Sequence, residues 1–300
     1  MSSQSVGVEI GPESLRVARV QTSAKGIHVQ HVAEASFPDG TTLTSLDVSS
    51  LPDEVAAALD PRAFANRDVV AVVDHPTVVL SAFRLAAGFT DELSSSIKWY
   101  AEQYVPYPVD TAVIDFHVQD SPYGGQKAVL LVSIQRAVVD KIMALLPPKH
   151  FKLRRIDAVP FSLHRLYRTL VAARGEPPEP AVVVHASGSS GYVLVTRAGQ
   201  VGVVRHVRAD NGAGVSLAEK VQQTCRHYEF HHPTERVQAV YATLATLAAE
   251  GVRERLGDEL ELEVRALDVA SIATLAGRGD AADPNGRWAE TFSLAVGAAI

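Results

Sequence analysis

Apolar residues recur along the chain with the period of a strand in some segments and that of a helix in others, and the alternation predicts an α/β protein. Val6 to Ile10 and Ser14 to Val20 read as strands joined by the turn Gly11-Pro12-Glu13, with His28 to Phe37 as a third. Leu51 to Leu59 reads as a short helix that stops before Pro61. Val69 to Val73 is a valine-rich run without polar interruption, the pattern of a strand buried on both faces, and Val78 to Arg84 is a strand after it.

The middle of the chain has a different texture. Thr90 and Asp91 offer caps for a helix that runs to Gln103 and breaks at Val105-Pro106-Tyr107-Pro108. Thr111 to Gln119 and Lys127 to Ser133 read as a β-hairpin, and Arg136 to Leu146 as a helix stopped by Pro147-Pro148. Residues 78–150 are therefore expected to form an inserted helix–hairpin–helix subdomain of mixed α and β structure, near the lower size limit of an independent domain.

Beyond it, Lys152 to Ala158 reads as a strand and Pro160 to Arg174 as a helix with proline in its first turn. The linker-like Gly175-Glu176-Pro177-Pro178-Glu179-Pro180 leads to three strands, Ala181 to His185, Tyr192 to Arg197 and Val201 to Val207. Ser216 to Phe230 reads as a helix, Val237 to Tyr241 as a strand and Leu244 to Arg255 as a helix. Val8 to Val20 and Val183 to Val195 share one pattern: apolar strand, turn, apolar strand, then a further strand across a glycine turn. That repetition predicts a duplicated core formed by residues 1–77 and 151–300. It is the logic of the actin-like, ribonuclease H-like fold, where two hairpin loops face one cleft.

Composition narrows the partners. The chain has 300 residues, 47% of them hydrophobic, enough for a sizeable core. Its 28 Lys and Arg against 34 Asp and Glu give a net charge of -6, which argues against a nucleic-acid surface. The single cysteine, Cys225, excludes an internal disulfide framework. Met1 to Gln4 is polar and uncharged, and no apolar run is long enough to span a bilayer, so a soluble, cytoplasmic protein without direct membrane insertion is expected.

Several side-chain clusters have simple structural readings. His227, His231 and His232 with Glu229 have metal-capable spacing but lack the His-Glu-x-x-His order, and a helix C-terminus favours histidine anyway. No metal site is expected. Cys225 reads as a buried thiol. The Lys and Arg residues from Lys149 to Arg155 read as a solvated strand edge, with contact to acidic lipid or an acidic partner as the alternative. No Gly-x-Ser-x-Gly elbow occurs.

Four segments then carry a resemblance. Val6-Gly7-Val8-Glu9-Ile10-Gly11-Pro12-Glu13-Ser14-Leu15-Arg16 resembles the opening phosphate loop of the PilM family, actin-like type IV pilus assembly proteins related to the division protein FtsA. The run from Ile97 to Phe116 resembles that family more specifically: a helix with Glu102-Gln103-Tyr104, the break Pro106-Tyr107-Pro108, and a strand ending Asp115-Phe116. Leu131 to Ile134 with Val138 to Asp140, and Ile156 to Leu163, resemble its next elements, and Ala295 to Ala298 its last helix.

The resemblance implies an ATP site, and the loops depart from it. The family's first loop carries an Asp for the metal-bound waters. Here Glu9 is one methylene longer, Pro12 removes an N–H donor, and Glu13 would set a carboxylate near phosphate. The second loop loses its Asp to His185 but keeps the small residues Ser187, Gly188 and Ser189, whose amides suit an anion nest. The third element should show Gly-Gly, and Val240 to Leu247 has no glycine. Glu9, Gly11, Ser14, Ser187, Gly188 and Ser189 are thus a degenerate nucleotide set, with weak or absent ATP binding and no hydrolysis expected.

The family also implies a partner: the cytoplasmic tail of the inner-membrane protein PilN, held in the cleft between core and insertion, alongside other pilus components and ATPases. An extended peptide needs apolar pockets. Trp99, Tyr104, Tyr107 and Phe116 would supply them from the insertion, with Leu163 and Leu166 facing from the core. The expectation is a cytoplasmic scaffold recruited to the inner membrane through that partner. The alternative is a nucleotide-binding actin-like ATPase of the pilus or of a type II secretion system.

Overall fold

The computed structural model describes residues 3–300 apart from 65–66, 87, 89–91, 121–124, 148–149, 177–179, 188–189, 209–215 and 276–286. Strands β1 (Ser3–Ile10), β2 (Ser14–Ser23) and β3 (Gly26–Ser36) form an antiparallel meander. After the short helices α1 (Asp53–Ala58) and α2 (Pro61–Phe64), strand β4 (Asp68–Val73) joins β1 in parallel. Val69, Ala71, Val72 and Val73 are buried and Val70 is half-buried, close to what the unbroken apolar run predicts for a strand covered on both faces.

The chain then leaves the sheet for the insertion. Strands β5 (Val79–Ala86), β6 (Ala112–Asp120) and β7 (Gln126–Gln135) make an antiparallel sheet in the order β5-β7-β6. Helix α3 (Leu93–Ala101) covers one face, burying Leu93, Ile97 and Ala101, one stripe of successive turns, against Val129 and Leu131. Helix α4 (Arg136–Leu145) lies between the insertion and the first lobe, with Ile134 of β7 and Val113 of β6 in its cluster. Its stripe Val138, Ile142 and Leu145 packs with Ile10, Val55 and Phe64 of the first lobe. An amphipathic stripe announces that a helix buries one face, but the partner it buries against is a tertiary matter.

Strand β8 (Lys152–Ala158) returns parallel to β4, and α5 (Val159–Arg174) follows, ending on Gly175 in the left-handed conformation, φ 66°. The second lobe repeats the first. It comprises β9 (Ala181–Ser187), β10 (Ser190–Arg197), β11 (Gln200–Arg208), α6 (Leu217–His231), β12 (Ala239–Thr243), α7 (Leu244–Leu247), α8 (Val252–Leu260) and β13 (Val264–Leu267). Its strand order, β11-β10-β9-β12-β13, matches β3-β2-β1-β4-β8. The single helix expected from Leu244 to Arg255 is two, divided where Gly251 takes φ 67°.

The C-terminal segment crosses back. Strand β14 (Ala273–Leu275) adds to β3 in parallel, α9 (Trp288–Thr291) lies beside α7, and α10 (Ser293–Ala299) lies against β1, β2 and β4 of the first lobe. α10 rests on backbone: a Cβ at Gly7 would sit 1.8 Å from Ala295 O. At Gly297 it would sit 2.6 Å from Ser162 Oγ, which itself donates to Leu294 O at 2.6 Å. These glycines let α10 sit on β1 and cross α5 closely.

Between the lobes, Leu163, Leu166 and Leu170 of α5 pack with Val183, Leu194 and Val296. Leu163 and Leu166 are fully buried there. Contrary to the expectation from sequence, they do not face Trp99, Tyr104, Tyr107 or Phe116 of the insertion. Each contributes about 1.5–3 kcal/mol by leaving water, and that burial is why their helical spacing was ambiguous from sequence.

Candidate functional site

The strand registers build two facing rows at the cleft. In the first lobe, Glu9 lies opposite Arg16 and Arg16 opposite Glu34. Arg16 donates to Glu9 Oε1 at 2.8 Å and to Glu34 Oε1 at 2.7 Å. In the second lobe the duplicated register sets His185 opposite Tyr192 and Tyr192 opposite His206. Tyr192 and His185 are buried, and the Tyr192 and His206 rings meet edge-on with centroids 5.0 Å apart.

The rows are joined. Tyr192 donates its hydroxyl to Asp74 Oδ1 at 2.9 Å, and Asp74 follows β4, its own N–H bound to Ile10 O at 2.9 Å. His185 shares a hydrogen bond with Thr243 Oγ1 at 3.0 Å, and Thr243 one with Thr246 at 2.9 Å. Thr246 Oγ1 accepts from Ala186 N at 2.8 Å. The segment that should carry paired glycines instead carries two threonines that hold the second loop from behind.

Burial sets the charge state here. It pushes the Glu9 carboxyl up to about 7 against the pull of Arg16, with Asp74 and Glu34 adding to the rise. Glu9 Oε2 is buried without a hydrogen-bond partner among the described residues, as suits a carboxyl that holds its proton near neutrality. Burial, then Arg16, pushes His185 down to about 4, so its imidazole is neutral. Burial and Asp74 hold the Tyr192 phenol far above its ordinary range.

The expected nucleotide set is placed at the two hairpin turns. Glu9 is tied to Arg16. Gly11 N donates to Ser14 O at 2.9 Å, closing the first turn on itself, and Ser14 enters β2 opposite Ser36. Ser187 is exposed at the end of β9; Gly188 and Ser189 lie outside the described residues. The sequence reading missed Arg16, Asp74, Tyr192, Thr243 and Thr246 as cleft residues. Asp74 had a signal, a charge directly after a two-sided buried run. The others needed the register.

The insertion presents an aromatic ladder. The rings of Trp99 and Tyr100 meet at 5.0 Å, Tyr100 and Phe83 at 5.5 Å, and Phe83 and Tyr104 at 5.3 Å. Trp99 is 61% exposed and Tyr104 38%. Tyr107 instead works internally, donating to Thr77 O at 2.8 Å and sharing a bond with Ser133 at 2.9 Å. Phe116 packs in the insertion's own cluster. Beyond Tyr104 a groove of about 490 Å³ opens between the insertion and the second lobe.

The remaining clusters have structural roles. His227 and His231 stack edge-on at 4.7 Å, His232 stacks on Tyr228 at 4.5 Å, and no metal-capable group of three His, Cys, Asp or Glu occurs among the described residues. The Cys225 thiol is buried and pushed up to about 12, first by burial and then by Glu229, which removes it as a nucleophile. Lys152 and Arg154 pair with Asp68, and Arg155 with Asp157; Lys149 lies outside the described residues. Among the described residues no helix is long and apolar enough to cross a membrane.

A family model described as type IV pilus assembly protein PilM matches residues 7–186. The chain is similar to a structure described as a PilM-PilN type IV pilus biogenesis complex, with 18% identity and TM-score 0.69 over 98% of this chain and 97% of that one. It is also similar to a Bacteroides thetaiotaomicron protein of actin-like ATPase fold and unknown function, with 8% identity and TM-score 0.55 over 91% and 93%. The fold is actin-like.

Proposed function

This chain belongs to the PilM family of type IV pilus assembly proteins, and on that premise we propose that it is a cytoplasmic scaffold. It docks the cytoplasmic tail of a PilN-like inner-membrane protein, is held at that membrane through the tail, and works without hydrolysing ATP. The docking half is supported by the likeness to a PilM-PilN complex and by the ladder ending at exposed Trp99, an apolar anchor of the kind that carries interface energy.

The non-hydrolytic half is supported by one observation: apart from Glu9 Oε2, the cleft side chains and turn amides named above already serve one another. A triphosphate needs amide donors from both turns and charge to hold a metal. Gly11 N is bound to Ser14 O, Pro12 has none, and Ala186 N is bound to Thr246. Glu9 is paired with Arg16 and half protonated near neutrality, while His185 has replaced the second acidic group. Tyr192 and Asp74 close the space between the lobes. These residues do not fit Mg-ATP.

The alternative, an actin-like ATPase, draws on Glu9 Oε2, a buried oxygen left open at the position of the family's acidic residue. Calorimetric titration separates the two. The scaffold gives saturable heat with the tail peptide and none with Mg-ATP; saturable Mg-ATP binding with turnover supports the ATPase.

A further inference from the structure

The end of the first-lobe sheet remote from the cleft carries cations that neither the cleft nor the tail-docking surface uses. Arg19 lies three residues along β2 from Arg16, about 10 Å away and on the opposite face of the sheet. Val6 of β1 is its partner on one side and His31 of β3 on the other. Arg67, directly before β4, donates to Gln4 Oε1 at 2.9 Å. β4 starts at this end and feeds the insertion from its other end.

Arg19 is held here against its own contacts. Its Nε is buried and has no hydrogen-bond acceptor among the described residues, which is destabilising for a donor. Burial, then Arg67, pulls the Arg19 pKa below its ordinary value, and burial, then Arg19, does the same to His31. No carboxylate among the described residues acts on either. Round the same end, on the sheet's other face, Lys152 and Arg154 of β8 share the one carboxylate of Asp68, at 2.9 and 3.0 Å. From β3 to β8 the group spans four strand spacings, about 19 Å.

We propose that this end of the first lobe contacts the acidic headgroups of a phospholipid surface. Cations spread so widely, over both faces of a sheet end, suit many separate phosphates in one plane better than a single anion or one extended peptide. A bilayer met end-on by the strands reaches both faces, and its negative surface potential attracts each cation left without a full counter-charge. On a chain of net charge -6 this end is a local exception. The choice of lipid rests on the reading that the chain is held at a membrane and deepens it: the tail is the specific tether, and the cations set how the first lobe lies on the surface.

Co-sedimentation of the full-length protein, without tail peptide, with vesicles of phosphatidylcholine alone or mixed with phosphatidylglycerol tests this. The protein should pellet with the mixed vesicles only, and raised salt should release it. Arg19→Met and Arg154→Gln should each weaken vesicle binding about fivefold. Arg19→Met keeps the apolar stem and removes the unsatisfied donor, so it should also retain or raise the melting temperature, which separates a lipid role from a structural one. Lys98→Gln, on the insertion and paired with Asp110, should leave vesicle binding unchanged. Equal pelleting with neutral vesicles, binding unmoved by both first-lobe variants, an equal loss with Lys98→Gln, or retention on poly-glutamate without vesicle binding would overturn the proposal. No tail peptide is present, so a failure of tail docking is read separately.

Discussion

Tyr192 and Asp74 join the two lobes: the phenol on β10 donates to the carboxylate after β4 at 2.9 Å. In a nucleotide-dependent actin-like protein a ligand would bridge this gap. Here two side chains do so, and the consequences can be measured.

Tyr192→Phe keeps the ring in its buried site and removes only the bond to Asp74. Hydrogen bonds to charged groups contribute about 1.5–3 kcal/mol. The variant should lose about that much in urea unfolding, and amide exchange should quicken in β4 and β10. Unchanged exchange in both strands would mean the bond does not hold the lobes.

The pH dependence has two opposed parts. Glu9 is raised in the folded state from 4.5 to about 7. Between those values the folded protein binds more protons than the unfolded chain, so Glu9's contribution is full below about pH 4.5 and is lost as pH rises through 7. His185 is lowered from 6.5 to about 4, so its contribution is present above pH 6.5 and is lost on acidification. Glu9→Gln should therefore lessen the loss of stability toward neutral pH, and His185→Gln the loss toward acid. Each changes the slope by at most about 1.4 kcal/mol per pH unit. Parallel shifts in both variants would contradict the assignment.

The glycines separate packing from phosphate chemistry. Gly7→Ala puts a Cβ into Ala295 O and should prevent α10 from docking, with a loss above about 4 kcal/mol or failure to fold. At Gly11 a Cβ would stand 3.5 Å from Ser14 O, ordinary contact. Gly11→Ala should leave thermal stability within about 1 kcal/mol of wild type and leave tail binding intact.

Much of this was legible in the sequence, and the limits were physical. The twin patterns at Val8 to Val20 and Val183 to Val195 fixed the duplication because a strand–turn–strand signal is local. The edge of the insertion was not legible, since α4 shows the same stripe whether it packs on β7 or on the first sheet. Leu163 and Leu166 read as groove residues for the same reason. Cross-strand partners such as Arg16 and Tyr192 depend on register, which apolar alternation sets only by face.

Trp99→Ala removes an exposed ring and should cost little stability, yet it should weaken the tail by about tenfold or more. Leu163→Ala should cost about 2–5 kcal/mol and affect the tail only by unfolding the protein.

The most direct test of a scaffold with a self-satisfied cleft is calorimetric titration of the PilN-like tail peptide into the full-length protein, with and without Mg-ATP. Saturable binding of equal affinity in both conditions, with no heat from Mg-ATP alone, is the result predicted. Tail binding that requires Mg-ATP, or saturable Mg-ATP binding by itself, would contradict it.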